Sequence, residues 1–496
     1  MPQDAIAAID LGSNSFHLLI ARFHDGQLQV IDRLREMVQL AAGLDEQRRL
    51  SRDAQQRALD CLSRFGQRLR HMPSTRVRAV GTNTLRQARN GEEFLLRAAE
   101  ALGHPVDIIS GIEEARLIYQ GVSQTMANGG ERRLVVDIGG GSTELIIGEH
   151  FEPLHLESLF MGCVSMTRRA FGEERIQEVD LRAAELAVQI EMEPVSAVYR
   201  ELGWKIATGA SGSIKSVRDV IRQEGWSREH ITLEALRQLR EAILDVKTPQ
   251  AMAERWGLEE ARARVFTGGF TVLHGVCEAL AIDTMEVADS ALREGVVFDL
   301  LGRIQHKDPR VRTVEGLEQR YNMDPRQAER VANTALHLLE QARESWGLDD
   351  DTHAHDLQWA ARLHEIGLAI AHNQYHKHGA YIVQHSDLAG FSRSEQQLIA
   401  ALIRGHRRKF PVAVFEALPG GLRQSARRLC VLLRLAAVLH RSRNRQPLPA
   451  LGLKVKGKRV KLAFPEGWLE AHPLTRVDLE TEAEYLRAGD FKLGVE

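Results

Sequence analysis

Two copies of one loop pattern, alternating strand and helix periodicity through the first 305 residues, and purely helical periodicity from about residue 306 predict an α/β protein. It should hold two similar α/β halves, then an all-α region and a small β-rich end. In the first copy the apolar run Ala5 to Ile9 enters Asp10-Leu11-Gly12-Ser13-Asn14-Ser15, and a second apolar run, Phe16 to Ile20, leaves it. In the second copy Leu134 to Val136 enters Asp137-Ile138-Gly139-Gly140-Gly141-Ser142-Thr143-Glu144, and Leu145 to Ile147 leaves. Each copy reads strand, turn, strand. A Walker or dinucleotide loop would run from strand into helix with its own spacing, and neither copy does. Glycines let the backbone approach an anion, amides and hydroxyls donate to phosphate oxygens, and a strand-terminal Asp can hold a divalent cation. One such turn would be a hairpin connection. The matched pair points to a phosphate gripped between two similar halves.

The remaining elements follow in order. Residues 1–125 alternate strand and helix patterns, including Val77 to Val80 leading into Gly81-Thr82-Asn83-Thr84-Leu85-Arg86, and form the first α/β domain. Residues 126–305 open on the second loop, pass through Ala207-Thr208-Gly209-Ala210-Ser211-Gly212-Ser213 and close near Asp289 to Gly295 as the second. Residues 306–446 carry helical repeats such as Val331, Leu336, Leu338 and Leu339, then Leu357, Ala360 and Leu363. Pro447 and Pro449 end the last long helix, and in residues 447–496 Leu453, Val455, Val460, Leu462 and Phe464 alternate with Lys454, Lys456 and Lys461.

Composition narrows the class. With 496 residues, 44% hydrophobic and 27% charged, the chain is globular rather than disordered. Its start enters a strand directly and no apolar stretch approaches a membrane span, so a cytoplasmic protein with at most peripheral membrane association is expected. Cys61, Cys163, Cys277 and Cys430 form no CxxC pair and read as reduced core residues. The net charge of −2 hides an asymmetry: residues 401–464 hold sixteen Lys and Arg against one acid, Glu416. That tract, with Arg404, Arg407, Arg408, Lys409, Lys454, Lys456, Lys458, Arg459 and Lys461 as candidate contacts, suits a polyanion partner better than a solvated helix face. Aromatic residues are only 5% and none interleaves the Lys454 to Lys461 segment, which argues against a nucleic-acid binder.

Two acids compete for a chemical role. Ser110-Gly111-Ile112-Glu113-Glu114 precedes a helical pattern, and Ser110 with Glu113 has the spacing of a capping box, in which serine caps the amide and glutamate reaches back. Glu113 is then structural. Glu114 is left free on the first turn, where the helix dipole favours its ionised form and suits a base or water-positioning group.

The two loops, the Thr82 to Arg86 segment and the Ser110 to Glu114 helix start resemble the exopolyphosphatase and guanosine pentaphosphate phosphohydrolase family. So do Met161-Gly162-Cys163-Val164-Ser165, Gly209-Ala210-Ser211-Gly212 and Ala291-Leu292-Arg293-Glu294-Gly295, each in order, over essentially the whole chain. The resemblance implies two actin-like domains of the actin and sugar-kinase (ribonuclease H-like) group, and removal of the terminal phosphate from inorganic polyphosphate or from guanosine pentaphosphate (pppGpp). It implies Glu114 as the catalytic glutamate and Gly12, Ser13, Asn14, Arg86, Gly139, Gly140, Gly141, Ser142, Ser211 and Gly212 as phosphate contacts. Magnesium would be held through Asp137, with Asp10 or Glu144, and potassium would stimulate; a homodimer is implied too. Phosphoryl transfer to water asks for these parts and for no nucleophilic side chain.

The helical region outlines a metal-dependent HD phosphohydrolase through His337, His364-Glu365 and Leu432 to Ala437, but Glu365 stands where His-Asp is needed and Ala437 at the distal ligand position. An HD-like fold without its metal centre is expected. His372, His376, His378 and His385 have no paired zinc spacing. The triple glycine at 139–141, the Gly81 to Thr84 run, Lys377 to Tyr381 and the basic tract favour an exopolyphosphatase over a pppGpp 5′-phosphatase, and dual activity is an alternative. An actin-like ATP-dependent kinase or chaperone is the rival from another class, because Gly209 to Ser213 resembles the adenosine loop of that group. Glu114 beside the phosphates favours water as acceptor.

Overall fold

The computed structural model describes residues 4–24, 27–126, 130–171, 175–304, 308–444 and 446–496. The chain divides into two compact units, Met1–Asp308 and Pro309–Glu496. Among the described residues no helix is long and apolar enough to cross a membrane.

The first unit holds two sheets with one plan. In the first, β1 (Ile6–Leu11), β2 (Ser15–His24) and β3 (Gln27–Met37) form an antiparallel meander, and β4 (Val77–Gly81) and β5 (Val106–Ile108) add in parallel on the other side of β1, giving the order β3-β2-β1-β4-β5. In the second, β6 (Arg133–Ile138), β7 (Thr143–Glu149) and β8 (Glu152–Leu159) repeat the meander, while β9 (Ile206–Ala210) and β11 (Thr284–Val287) repeat the parallel pair. The short β10 (Ile231–Thr232) closes the edge, giving β10-β11-β9-β6-β7-β8. The twin sequence motifs are therefore the β1–β2 and β6–β7 turns of a duplicated fold.

Each sheet is covered on both faces, which explains the near-continuous apolar runs of its central strands. Ala7 and Ile9 of β1 enter a core of the first half with Phe16, Leu62 and Phe65. Their alternates Ile6 and Ala8 enter a shared core with Leu19, and with Val135 and Ile146 of the second sheet. The helices Gly111–Thr125 and Leu292–Ile304 fill that shared core and cross at small residues, since a Cβ at Gly295 would overlap the Leu117 carbonyl and one at Gly121 the Ala291 carbonyl. The first of these helices carries Glu114, so the catalytic candidate stands on a rigid element.

The second unit is mainly helical around one core that includes Leu338, Trp346, Leu402 and Leu432. Its end is mixed rather than β-rich. β12 (Gly452–Lys456), β13 (Arg459–Ala463) and β14 (Lys492–Val495) form a small sheet, but the 15-residue helix Pro473–Arg487 lies between the last two strands. Four acids between Asp478 and Glu484 mask the narrow stripe of Leu479 and Leu486 that the helix buries, so alternation along β12 and β13 dominated the reading. Leu453, Val460, Leu462, Leu479 and Leu486 belong to the same core as the helices.

Candidate active site

The two loops are held alike from behind. In the first, Ser13 and Asn14 carbonyls accept from the amides of Ala41, Val38 and Gln39 beyond the end of β3, at 2.8–3.1 Å. In the second, the Gly139 and Gly140 carbonyls accept from Cys163, Val164 and Ser165 at the start of the helix Cys163–Ala170, at 2.8–3.0 Å. The loops then meet: a Cβ on Gly140 would stand 2.9 Å from Ser13 Cβ, and one on Gly141 2.6 Å from Asn83 Nδ2. Gly140 is thus required by the approach of the two loops, and Gly141 by the packing of Asn83.

Between them lies a cavity of about 340 Å³. Eleven of the expected residues line it: Asp10, Gly12, Ser13, Asn14, Glu114, Asp137, Gly139, Gly140, Ser142, Ser211 and Gly212. Three expected residues stand outside its lining. Gly141 is turned onto Asn83 and does not line the cavity. Arg86 stands behind Glu114, donating to its Oε2 at 2.7 Å and to the Ile109 carbonyl at 3.0 Å, and so restrains the carboxylate rather than facing the cavity. Glu144 also does not line it; fully buried on β7, it accepts from Ser158 at 2.8 Å. Glu144 is the ladder partner of Asp137 and shares its face of the sheet.

Glu113 corrects a further expectation. Ser110 does cap the helix, accepting from the Glu113 amide at 3.1 Å, but the Glu113 carboxylate does not reach back. It is wholly buried and forked onto Arg116 at 2.7 and 2.8 Å, with Arg78 3.6 Å away. Arg78, Arg116 and Arg303 converge in turn on Asp299, so the glutamate belongs to a buried ion network. Burial alone would raise the Asp299 carboxyl, yet Arg303, Arg78 and Arg116 together hold it well below the usual range.

Electrostatics divide the cavity. Burial first and the nearby Glu114 second push Asp10 up to about 7, and the same two causes push Asp137 up to about 7. Burial, Glu114 and Asp137 raise Glu144 well above the usual carboxylate range too. Asp10 Oδ1 is buried without a hydrogen-bond partner. Arg35, Arg262, Lys215 and Arg293 line the cavity as well, and neither Arg35 nor Arg262 has a carboxylate partner among the described residues. Burial lowers Arg262, and Arg35 repels it. The cavity therefore joins buried carboxylates to guanidiniums that have no carboxylate partner among the described residues.

Asn83 is a donor that sequence reading quoted but did not assign. Its Oδ1 accepts from Gln87 at 2.5 Å, and its buried, unpartnered Nδ2 packs against Gly141 while the residue lines the cavity. Arg35, Lys215, Arg262 and Arg293 lie in separate segments with no shared motif, so only the fold brings them together. Cys163 lines the cavity too, while Cys61, Cys277 and Cys430 are plain core residues, and all four are free.

In the second unit His337 is exposed and bonded to Gln341, whereas His364 is buried against His406, ring centroids 5.3 Å apart. Among the described residues no group of three His, Cys, Asp or Glu side chains could hold a metal ion, at this point or in the cavity. The basic tract is partly neutralised by acids outside it: Arg434 is buried on Glu482, Arg443 pairs with Glu365 and Asp324, and Lys458 with Asp490. Arg407 lies over the Tyr375 ring, and Arg404 is partly buried. Arg408 and Lys409 are exposed, and Arg445 falls outside the described residues. Lys454, Lys456, Arg459, Lys461 and Lys492 share one face of the small sheet, with Lys454 directly opposite Lys461 and Arg459 opposite both Lys456 and Lys492.

Comparison with known proteins agrees with this geometry. Residues 19–304 match the Ppx/GppA phosphatase family and residues 310–483 match domain III of Ppx/GppA phosphatases. The chain is 41% identical over 479 residues to the guanosine-5′-triphosphate,3′-diphosphate pyrophosphatase of Vibrio vulnificus, covering 96% of this chain and 95% of that one. It is also 41% identical to the Aeromonas hydrophila protein of the same name, over 96% of both chains. An exopolyphosphatase structure from Cytophaga hutchinsonii is 25% identical with a TM-score of 0.55, covering 60% of this chain and 98% of that one. An Aquifex aeolicus Ppx/GppA structure gives 25% and 0.52, covering 61% and 98%. The similarity to exopolyphosphatases is thus one of family, while the relatives at 41% identity bear the name that had been the alternative expectation. With paired loops, a helix-borne Glu114 and matches to both parts of the chain, the protein belongs to the Ppx/GppA phosphatase family.

Proposed function

We propose that this phosphatase is a phosphoric anhydride hydrolase that removes the terminal 5′ phosphate of pppGpp, leaving the 3′-diphosphate in place. The observation that carries the chemistry is the convergence of two phosphate loops and Glu114 on one cavity. The substrate follows from the names of the relatives at 41% identity over nearly the full length. Water oxygen attacks the terminal phosphorus, the bond to the bridging oxygen breaks, and the water proton passes to Glu114. Arg86 holds the Glu114 carboxylate at 2.7 Å, so the base meets the water in one orientation. Ser13 accepts from Thr84 at 2.8 Å, which frees its own proton for a phosphate oxygen, and Ser142 donates beside it. No side chain need bond to phosphorus.

Magnesium fits this donor set. The ion usually keeps several waters and takes one or two carboxylates together with substrate phosphates, so Asp10 with its partnerless Oδ1 and Asp137 suffice without Glu144. When bound it supplies charge neutralisation on the phosphate oxygens. The repeated strand order supports reading the halves as actin-like.

Inorganic polyphosphate is a second substrate reading, favoured by the sheet face of Lys454, Lys456, Arg459, Lys461 and Lys492, where like charges sit directly opposite each other at a cost to stability. Phosphate release from pppGpp, long polyphosphate and ATP, each with and without magnesium, tests all three classes. Turnover of pppGpp alone supports the main reading. Turnover confined to polyphosphate returns the chain to the exopolyphosphatase reading, and ATP turnover with transfer to an acceptor other than water removes it from both.

A further inference from the structure

Ser15, His17 and Arg293 line the same cavity and form a chain that the mechanism above does not use. Ser15 and His17 begin β2 and, two residues apart, project to one side, while Phe16 between them enters the core. His17 stands opposite Asp10 across the β1–β2 ladder. Arg293 comes from the other half of the unit, on the helix Leu292–Ile304.

The hydrogen bonds leave one arrangement of protons. Arg293 Nη1 lies 3.2 Å from His17 Nδ1, and a guanidinium can only donate, so Nδ1 is the acceptor and carries no proton. The imidazole is then neutral with its proton on Nε2. That proton goes to Ser15 Oγ, 2.8 Å away. Ser15 accepts from the ring and keeps its own hydroxyl proton to give, and among the described residues no other group takes it. A protonated imidazole would set two donors against each other at Nδ1.

We propose that Arg293 fixes the tautomer of His17 so that the Ser15 hydroxyl is held as a one-way donor to an oxygen of the transferring phosphate. Ser15 is then a substrate contact, and His17 and Arg293 are positioning residues. A serine hydroxyl left to rotate would spend part of its time donating within the protein, whereas this one is pre-aimed at the site of growing negative charge. The idea rests on the phosphatase reading of the cavity.

The test compares Ser15→Ala, His17→Phe, His17→Asn, His17→Gln and the Ser15→Ala/His17→Phe double variant on pppGpp and GTP. A glutamine amide reaches the position of Nε2 and can donate to Ser15, while asparagine reaches only Nδ1. Ser15→Ala, His17→Phe and His17→Asn should each lower kcat by about ten-fold or more with KM nearly unchanged, the scale of one lost oxyanion donor at a partly open site. His17→Gln should restore most of that turnover, and the double variant should be no slower than Ser15→Ala. Wild-type turnover in His17→Phe and His17→Asn, glutamine as poor as phenylalanine, or losses that multiply in the double variant would each overturn the proposal. Should His17→Phe not fold, the asparagine and glutamine pair decides the matter by itself. A wild-type protein that releases no phosphate from either nucleotide or from polyphosphate would instead remove the phosphatase reading.

Discussion

Glu113 and Glu114 are adjacent on one helical turn and have opposite surroundings, one locked among arginines and the other lining a cavity. Glu114→Gln should therefore leave folding and substrate binding intact while lowering turnover by about 100-fold or more, the scale of a lost acid–base group; steady-state phosphate release and an equilibrium binding measurement check the two halves of that statement. The cavity carboxylates give a second outcome. Asp10 and Asp137 stand near 7 when folded, whereas unfolded carboxyls ionise near 3.9. Between roughly pH 4 and 7 the folded protein thus keeps protons that the unfolded chain has lost, and their contribution to stability falls as pH rises through that window. A divalent cation offsets the repulsion only once the groups are ionised. Magnesium should raise Tm more at pH 8 than at pH 5.5, and Asp10→Asn or Asp137→Asn should shrink that difference and raise the magnesium needed for any remaining activity. Equal magnesium responses at both pH values, with both variants unchanged, would detach these carboxylates from the metal.

At the level of elements, the helix Gly111–Thr125 is held by ions more than by its cap. A broken capping box would cost about 1 kcal/mol, but removing the Glu113 charge leaves buried Arg116 and Arg78 short of a partner, which costs about 3 kcal/mol or more. Glu113→Gln should unfold at markedly lower denaturant concentration, and a loss no larger than that of Ser110→Ala would return Glu113 to the cap. The contrast shows what a sequence displays of such a site. The loops at Asp10 and Asp137 and the helix start at Ser110 are local patterns, with chemistry set by neighbours in the chain, and all three reach the cavity. Arg78, Asp299 and Arg303 approach Glu113 from β4 and from a helix almost 190 residues later, and the Ser-x-x-Glu spacing gave the same local signal either way. Arg35 and Arg262 were silent for the same reason: an arginine without a motif is identified only by what it is folded against, and Arg293, though inside the quoted Ala291–Gly295 segment, was given no role. The duplication of the meander was legible, because β-strand alternation and the loop pattern both repeat. The acidic helix Pro473–Arg487 was not, since one narrow apolar stripe is weak against four acids.

For the whole molecule the two units carry opposite charge. By count of Lys, Arg, Asp and Glu the unit Pro309–Glu496 has a net +6 and the unit Met1–Asp308 a net −8. The tract of 401–464 is more basic than the unit it belongs to, because acids from either side fold back onto Arg434, Arg441, Arg443 and Lys458. Beside exposed Arg408 and Lys409 there remains the sheet face of Lys454, Lys456, Arg459, Lys461 and Lys492, on which, among the described residues, Lys461 alone has an acid, Glu496, beside it. The cavity needs one terminal phosphate. A separate cation face adds affinity only for substrates long enough to occupy both, and it does so by releasing counterions, as on nucleic acid. Neutralising Lys454, Lys456, Lys458, Arg459 and Lys461 together should therefore leave kcat and KM on pppGpp within a few-fold. On long polyphosphate the same variant should show a large rise in KM, loss of processive degradation and a flatter salt dependence, with kcat on tri- or tetraphosphate nearly unchanged. Equal losses on pppGpp and on long polymer would mean that the face supports the fold. An unaltered long-polymer KM and salt slope would mean that polyphosphate never engages it, leaving the nucleotide as the substrate for which the cavity alone is sufficient.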